Sequence, residues 1–224
     1  MTSGQKVARA ARLKVHDVMA HLHYGLANYG LPARKPVLDA ILTVKRQRKM
    51  ETTLIDAYQL VAAARSTAKL PGAAAEVGVF KGATARLILD TLPNKTLHLC
   101  DTFEGLPDSQ DGMDKGQFCG TLEEVRQYLD DPRVQFHRGY FPRDTAHEIE
   151  NERFAFVHLD VDYYDGTLAA LEFFWPRMVT GGIVLTHDYV LLPGPTKAFD
   201  EFFRDRVEPV IELAGIQALV VKAS

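Results

Sequence analysis

The sequence predicts an α/β fold. A Rossmann-like, mostly parallel sheet of seven strands closes on an antiparallel C-terminal hairpin, and an N-terminal helical lid precedes it. Three observations carry this prediction. From residue 73 onward, short apolar runs alternate with stretches of helical period, the pattern of successive parallel βαβ units. The first of these runs ends in glycine and opens onto a helix, at Glu76-Val-Gly78-Val-Phe80-Lys81-Gly82. The last two runs, 210–213 and 217–222, flank so short a turn at Ala214-Gly215 that they must be antiparallel.

The elements follow in order. Val7, Ala10, Leu13, Val18 and Leu22 recur at roughly helical spacing over residues 5–30, until Gly25, Gly30 and Pro32 break the pattern. Pro36 starts a second helix through Val37, Leu38, Ile41 and Val44. A third helix spans residues 52–68 and stops at Leu70-Pro-Gly72. Strands are then predicted at 73–79, 96–100, 134–137, 154–159 and 183–186, the last entered through a Gly181-Gly182 turn. Helices are predicted at 82–92, 122–129, 167–179 and 195–207. Residues 1–70 are expected to form the N-terminal helical lid or oligomerisation segment, and residues 71–224 the domain that holds the sheet.

Composition narrows the class. A chain of 224 residues suffices for one α/β domain with an extra segment. Hydrophobic content of 46% and charged content of 25% are those of a globular protein in water. No apolar run reaches membrane-span length and the start has no signal-peptide core, so a cytoplasmic protein without membrane contact is expected. In that compartment Cys100 and Cys119 are expected as reduced thiols, with a disulfide between them the alternative, and neither has the CxxC spacing of a zinc site. Residues 1–50 carry a net +8 and the remainder −11. A basic arm on an acidic domain fits either an anionic partner or a solvated helix face docked on its own domain. The scatter of its basic residues among apolar ones favours the second, and no nucleic-acid partner is expected.

Ligands of open parallel sheets sit at the carboxyl ends of the strands. Gly78 allows close backbone approach there, and Gly82 allows a tight helix start. A carboxylate at Glu76 would repel a pyrophosphate but suits a ligand carrying sulfonium and ammonium charges. Asp101 ends the second strand, where an acid can accept hydrogen bonds from ribose hydroxyls. Gly139, just after the third strand, lies near the expected adenine position.

Taken together, several words form a pattern: Glu76–Gly82, Asp101-Thr102-Phe103-Glu-Gly-Leu-Pro107, Leu159-Asp160-Val-Asp162-Tyr-Tyr164, Pro176–Gly182 and His187-Asp188-Tyr189. Over residues 73–203 this pattern resembles the macrocin O-methyltransferase family, class I methyltransferases acting on sugar hydroxyls of macrolides and related natural products. The resemblance implies S-adenosylmethionine as cofactor, held by Glu76, Gly78, Phe80, Lys81, Gly82, Thr84, Asp101, Thr102, Phe103, Gly139 and Asp160. It implies a small-molecule hydroxyl acceptor, a homodimer or higher homo-oligomer, and a divalent metal, usually magnesium. By position, Asp160, His187 and Asp188 would be metal ligands and Asp162 the general base.

The chain departs from that pattern twice. The family's Asp-Asp pair after the fifth strand is His187-Asp188 here, and the cradle's second glycine pair is Gly82-Ala83. Magnesium prefers oxygen ligands, whereas one imidazole suits manganese, iron, cobalt or zinc. Three readings of His187 stay open: a ligand, a general base with an ordinary pKa near 6.5, or a packed strand-end residue. His158, inside a strand, is expected to be a core histidine. His21 and His23, two apart in a helix, share no face. Phe173, Phe174 and Trp175 are expected in core and interface. Tyr140, Tyr163 and Tyr189 are candidates for the acceptor pocket, and Pro193-Gly-Pro195 for a rigid loop beside it.

Overall fold

The computed structural model describes residues 33–106 and 113–224. The helix expected over residues 5–30, with His21 and His23, lies outside the described residues. Two helices come first, α1 (Lys35–Gln47) and α2 (Leu54–Ser66). Pro36 sits in the first turn of α1, where a missing N–H costs nothing. Thr53 caps α2 by accepting the Asp56 N–H at 3.2 Å.

The sheet follows. Its strands are β1 (Ala73–Val77), β2 (Leu97–Asp101), β3 (Val134–Arg138), β4 (Phe154–Leu159), β5 (Met178–Thr186), β6 (Ile211–Glu212) and β7 (Ala218–Val221). Helices α3 (Ala83–Thr91), α4 (Leu122–Leu129), α5 (Tyr164–Phe174) and α6 (Pro193–Phe203) complete the chain. Strand order is β3-β2-β1-β4-β5-β7-β6. The first five strands are parallel, β7 runs antiparallel to β5, and β6 antiparallel to β7. This is the predicted mostly parallel seven-stranded sheet. Chain order reverses between β1 and β4, and that switch point opens the crevice in which such sheets bind ligands.

Every residue of β1 and β4 is buried, as strands covered on both faces must be. One face packs against α1 to α4 through residues such as Ile41, Leu60, Ile88 and Val125. The other packs against α5 and α6 through Leu171, Phe174, Phe199 and Phe203. Among the described residues no helix is long and apolar enough to cross a membrane.

Several boundaries differ from the sequence expectation. The helix predicted over 167–179 runs Tyr164–Phe174 instead, because Pro176 cannot extend it and Trp175–Arg177 form a 3-10 turn. Gly181-Gly182 does not precede β5 but lies inside it, at a register shift against β4. A Cβ on Gly182 would come within 2.8 Å of the Val179 carbonyl, so the pair marks a bulge rather than a turn. Pro193-Gly-Pro195, expected as a loop, is the first turn of α6.

Candidate active site

A cavity of about 750 Å³ lies over the carboxyl ends of β1, β2, β4 and β5. The chain leaves each of these strands through a residue with left-handed backbone: Phe80 (φ 50°), Phe103 (φ 57°), Asp162 (φ 62°) and Asp188 (φ 57°). Non-glycine residues rarely adopt this conformation, and its cost concentrates at functional sites. These four turns bend the chain across the strand ends, and sequence patterning gave no sign of them.

One end of the cavity is built around β1 and β2. Asp101 lines the cavity and is a hub for backbone donors. Its Oδ2 accepts the Val79 and Phe80 N–H groups at 2.6 and 3.1 Å, and its Oδ1 accepts the Phe103 N–H at 2.7 Å. Burial pushes this carboxyl above its ordinary range, and the three N–H donors oppose that shift. Gly78 also lines the cavity, but what requires glycine is a neighbouring strand. A Cβ there would sit 1.9 Å from the Asp160 carbonyl oxygen, at φ +85°. Phe80, Lys81, Thr84, Thr102, Gly139 and Asp160 line the same space.

Three residues expected in this cradle face elsewhere. Glu76 sits one pleat from Val77, so its side chain points into the layer under α1–α3 rather than the cavity. There its Oε1 meets His158 Nδ1 at 2.8 Å, with both side chains fully buried. Burial raises the Glu76 carboxyl above its ordinary range, against the lowering effect of His158 and Thr84. Gly82, at φ +77°, packs against Val125 of α4. The Phe103 ring is buried in the core, 6.2 Å from that of Phe136.

The acidic end is built from β4 and β5. Asp160, His187 and Asp188 offer ligand atoms that all lie within 4.8 Å of one another. His187 Nδ1 is 3.3 Å from Asp160 Oδ1 and 3.4 Å from Asp188 Oδ2. Burial opposes protonation of this imidazole, but the two carboxylates win and hold its pKa well above 6.5. Neither ring nitrogen makes a hydrogen bond of good geometry. A site of two carboxylates and one buried imidazole without a hydrogen-bond partner fits a divalent cation of the manganese, iron or zinc type, which would bind in place of the imidazole proton. Asp162, buried at the left-handed turn, lines the cavity beside this cluster.

Tyr140 and Tyr163 line the cavity, but Tyr189 does not. Its hydroxyl donates to Asp200 Oδ1 at 2.5 Å, on α6. Lys45, Lys49 and the 50–53 link between α1 and α2 also form the wall, as do Leu106, Met113 and Phe118. Sequence reading missed both groups, since neither lies at a strand end.

The family model described as macrocin-O-methyltransferase (TylF) matches residues 47–217, most of the chain. The chain belongs to the macrocin-O-methyltransferase family. It is 29% identical over 154 residues to demethyldecarbamoylnovobiocin O-methyltransferase of Streptomyces niveus, covering 59% of this chain and 58% of the relative. It is 30% identical over 160 residues to mycinamicin III 3''-O-methyltransferase of Micromonospora griseorubida, covering 61% and 62%. The chain thus spans less than two thirds of the length of these curated relatives. Among solved structures, the O-methyltransferase NovP superposes with a TM-score of 0.68 at 23% identity, over 78% of this chain and 82% of NovP. The calicheamicin methyltransferase CalS11 superposes with a TM-score of 0.68 at 21% identity, over 99% and 94%. These likenesses establish the class I methyltransferase fold of this macrocin-O-methyltransferase family member.

Proposed function

We propose that this chain is an S-adenosylmethionine-dependent O-methyltransferase acting on a hydroxyl of a small natural product, a sugar or polyketide-like compound. The observation that carries the reading is one cavity with two chemically distinct ends. The Gly78–Thr84 loop and Asp101 form the first, and Asp160, Asp162, His187 and Asp188 the second. Family membership and relatives named as O-methyltransferases of antibiotics support the same chemistry.

Methyl transfer needs an acceptor oxygen aligned in line with the sulfonium carbon and relieved of its proton. A carboxylate offers about four acceptor positions, and Asp101 uses three of them on backbone N–H groups. The fourth meets only the Thr102 hydroxyl at 3.5 Å, whose proton can go to the Gly105 carbonyl at 3.0 Å instead, so a ribose hydroxyl can take that position. Thr102 and Gly139 would hold the nucleoside, and Phe80, Lys81 and Thr84 the methionine portion. Asp162 takes the acceptor proton. A divalent ion held by Asp160, His187 and Asp188 would bind the acceptor hydroxyl and lower its pKa.

A second reading rests on the position of His187 between two carboxylates. With no metal in the reaction, that imidazole is a base oriented by Asp160 and Asp188 once it is deprotonated, so this reading requires activity to rise as pH climbs above the ordinary histidine range. Calorimetry with S-adenosylmethionine and S-adenosylhomocysteine, followed by a methyl-release assay on candidate acceptors with and without chelator, tests both. Loss of activity in chelator with recovery on manganese supports the metal reading. Full activity in excess chelator supports the His187 base, and failure to bind either cofactor form defeats both. The reading includes a cytoplasmic homodimer or higher homo-oligomer, which light scattering on the purified protein tests for assembly.

A further inference from the structure

Two buried histidines lie outside the site just described. His98 on β2 and His137 on β3 face the layer that also holds Cys100, Phe141, Ile149 and Phe154. His98 Nδ1 is 3.0 Å from His137 Nε2, and His137 Nδ1 is 2.6 Å from Glu148 Oε2. The two rings stack at 5.2 Å, and His98 meets Phe154 edge-on at 5.9 Å. None of the three residues lines the cavity.

The hydrogen bonds run in a fixed direction. An ionised Glu148 can only accept, so His137 Nδ1–H donates to it. His137 Nε2 is then an acceptor for the hydrogen bond that His98 Nδ1–H donates. Burial, with His137 close by, pushes His98 down to about 4, so its ring is neutral and suited to this donor role.

What the chain of bonds encloses gives it a function. The backbone leaves β3 one residue after His137 and returns, through the 3-10 turn Ala146–Glu148, to place Glu148 back on His137. Between these two points lie Gly139, Tyr140 and Phe141, all of which line the cavity. Gly139 N–H donates to the Asp101 carbonyl at 3.0 Å, so the loop is also tied to the Asp101 hub. We propose that Glu148, His137 and His98 are positioning residues that hold the Gly139–Phe141 wall in its cofactor-binding position. The inference rests on the cofactor reading above.

The test is calorimetric titration of the full chain with S-adenosylhomocysteine. Glu148 is half-exposed, so its substitution leaves the core intact. Glu148→Ala is expected to weaken binding about tenfold, the loss of one charge-assisted hydrogen bond at the wall. Its thermal midpoint should fall by only a few degrees, as the loss of a single hydrogen bond requires. Glu148→Gln retains an acceptor for His137 Nδ1–H and is expected to bind within about threefold of wild type. His98→Asn, which keeps a donor at the Nδ1 position, should likewise bind better than His98→Ala. Wild-type binding by Glu148→Ala would overturn the inference alone, as would a Glu148→Gln protein as weak as Glu148→Ala. Failure of the wild-type chain to bind S-adenosylhomocysteine would overturn the cofactor reading, and this inference with it.

Discussion

Glu76 and His158 form a fully buried carboxylate–imidazole pair, 2.8 Å from Oε1 to Nδ1, joining β1 to β4 beneath the cavity. The His158 ring in turn stands edge-on to His187, with centroids 6.4 Å apart. A polar row therefore crosses the sheet from β1 through β4 to the acidic cluster. Removing one member of a buried pair strands the other without a partner, at a cost of about 3–5 kcal/mol. His158→Ala is expected to lose stability in that range in urea unfolding. Glu76→Gln keeps an acceptor for His158 Nδ1–H and should lose only about 1–2 kcal/mol. Equal losses in the two variants would show that the ion pair, and not the hydrogen bond, carries the contact.

The acidic cluster makes a separate prediction. Outer-sphere partners of metal ligands contribute about 10–100-fold to affinity, and a lost ligand should cost at least the upper end of that range. Asp160→Asn and His187→Ala are therefore each expected to weaken Mn2+ binding by on the order of a hundredfold, read by calorimetry. S-adenosylhomocysteine affinity should change much less in His187→Ala. If His187→Ala binds Mn2+ as wild type does, the imidazole is no ligand, and the base reading gains.

Asp162 is predicted to matter for rate more than for binding. Asp162→Asn should lower kcat by about 10²–10⁴-fold, the usual contribution of a general base, with cofactor affinity little changed. The measurement is steady-state kinetics on any acceptor that supports turnover. An undiminished kcat would remove Asp162 from the mechanism.

The legible part of the molecule was the sheet and the level of the site within it. Strand ends carry the motifs, and parallel strands bring those ends to one edge, so Gly78, Asp101, Asp160 and His187 meet as expected. The role of Glu76 was not legible. Its partner lies 82 residues away, and only the strand order β1-β4 brings the two side chains together. Period-2 alternation does say that Glu76 and Val77 point to opposite faces, and that signal could have removed Glu76 from the cavity wall. The left-handed turns at Phe80, Phe103, Asp162 and Asp188 leave no composition signature, because none of them is glycine. Gly78 shows the converse case, where the sequence marks the residue but not the neighbour that also demands glycine.

That neighbour is a backbone atom, and the consequence is testable. A Cβ at position 78 would sit 1.9 Å from the Asp160 carbonyl oxygen, and backbone cannot yield as a flexible side chain can. The φ of +85° adds strain for any L side chain. Gly78→Ala should therefore destabilise the fold by about 2–4 kcal/mol and also displace Asp160. Urea unfolding reads the first effect and weakened Mn2+ binding the second. A Gly78→Ala protein as stable as wild type would mean that β1 and β4 separate more readily than their register implies.

The buried His98 sets a pH dependence with a definite sign. Its folded-state pKa is depressed to about 4, against 6.5 for a free histidine, by burial and by His137. Between these values the unfolded chain binds the proton and the folded chain does not, so stability falls as pH drops from 6.5 toward 4. His187 runs the other way. Its pKa is raised well above 6.5, so its contribution is complete below 6.5 and is lost only as pH climbs through the raised value. The two windows do not overlap. Unfolding in urea at pH 7 and pH 5 should show a loss on the order of 1–2 kcal/mol at the lower pH. His98→Asn, with nothing to protonate at that position, should show a smaller loss across the same interval. An unchanged pH dependence in His98→Asn would assign the acid sensitivity to another group.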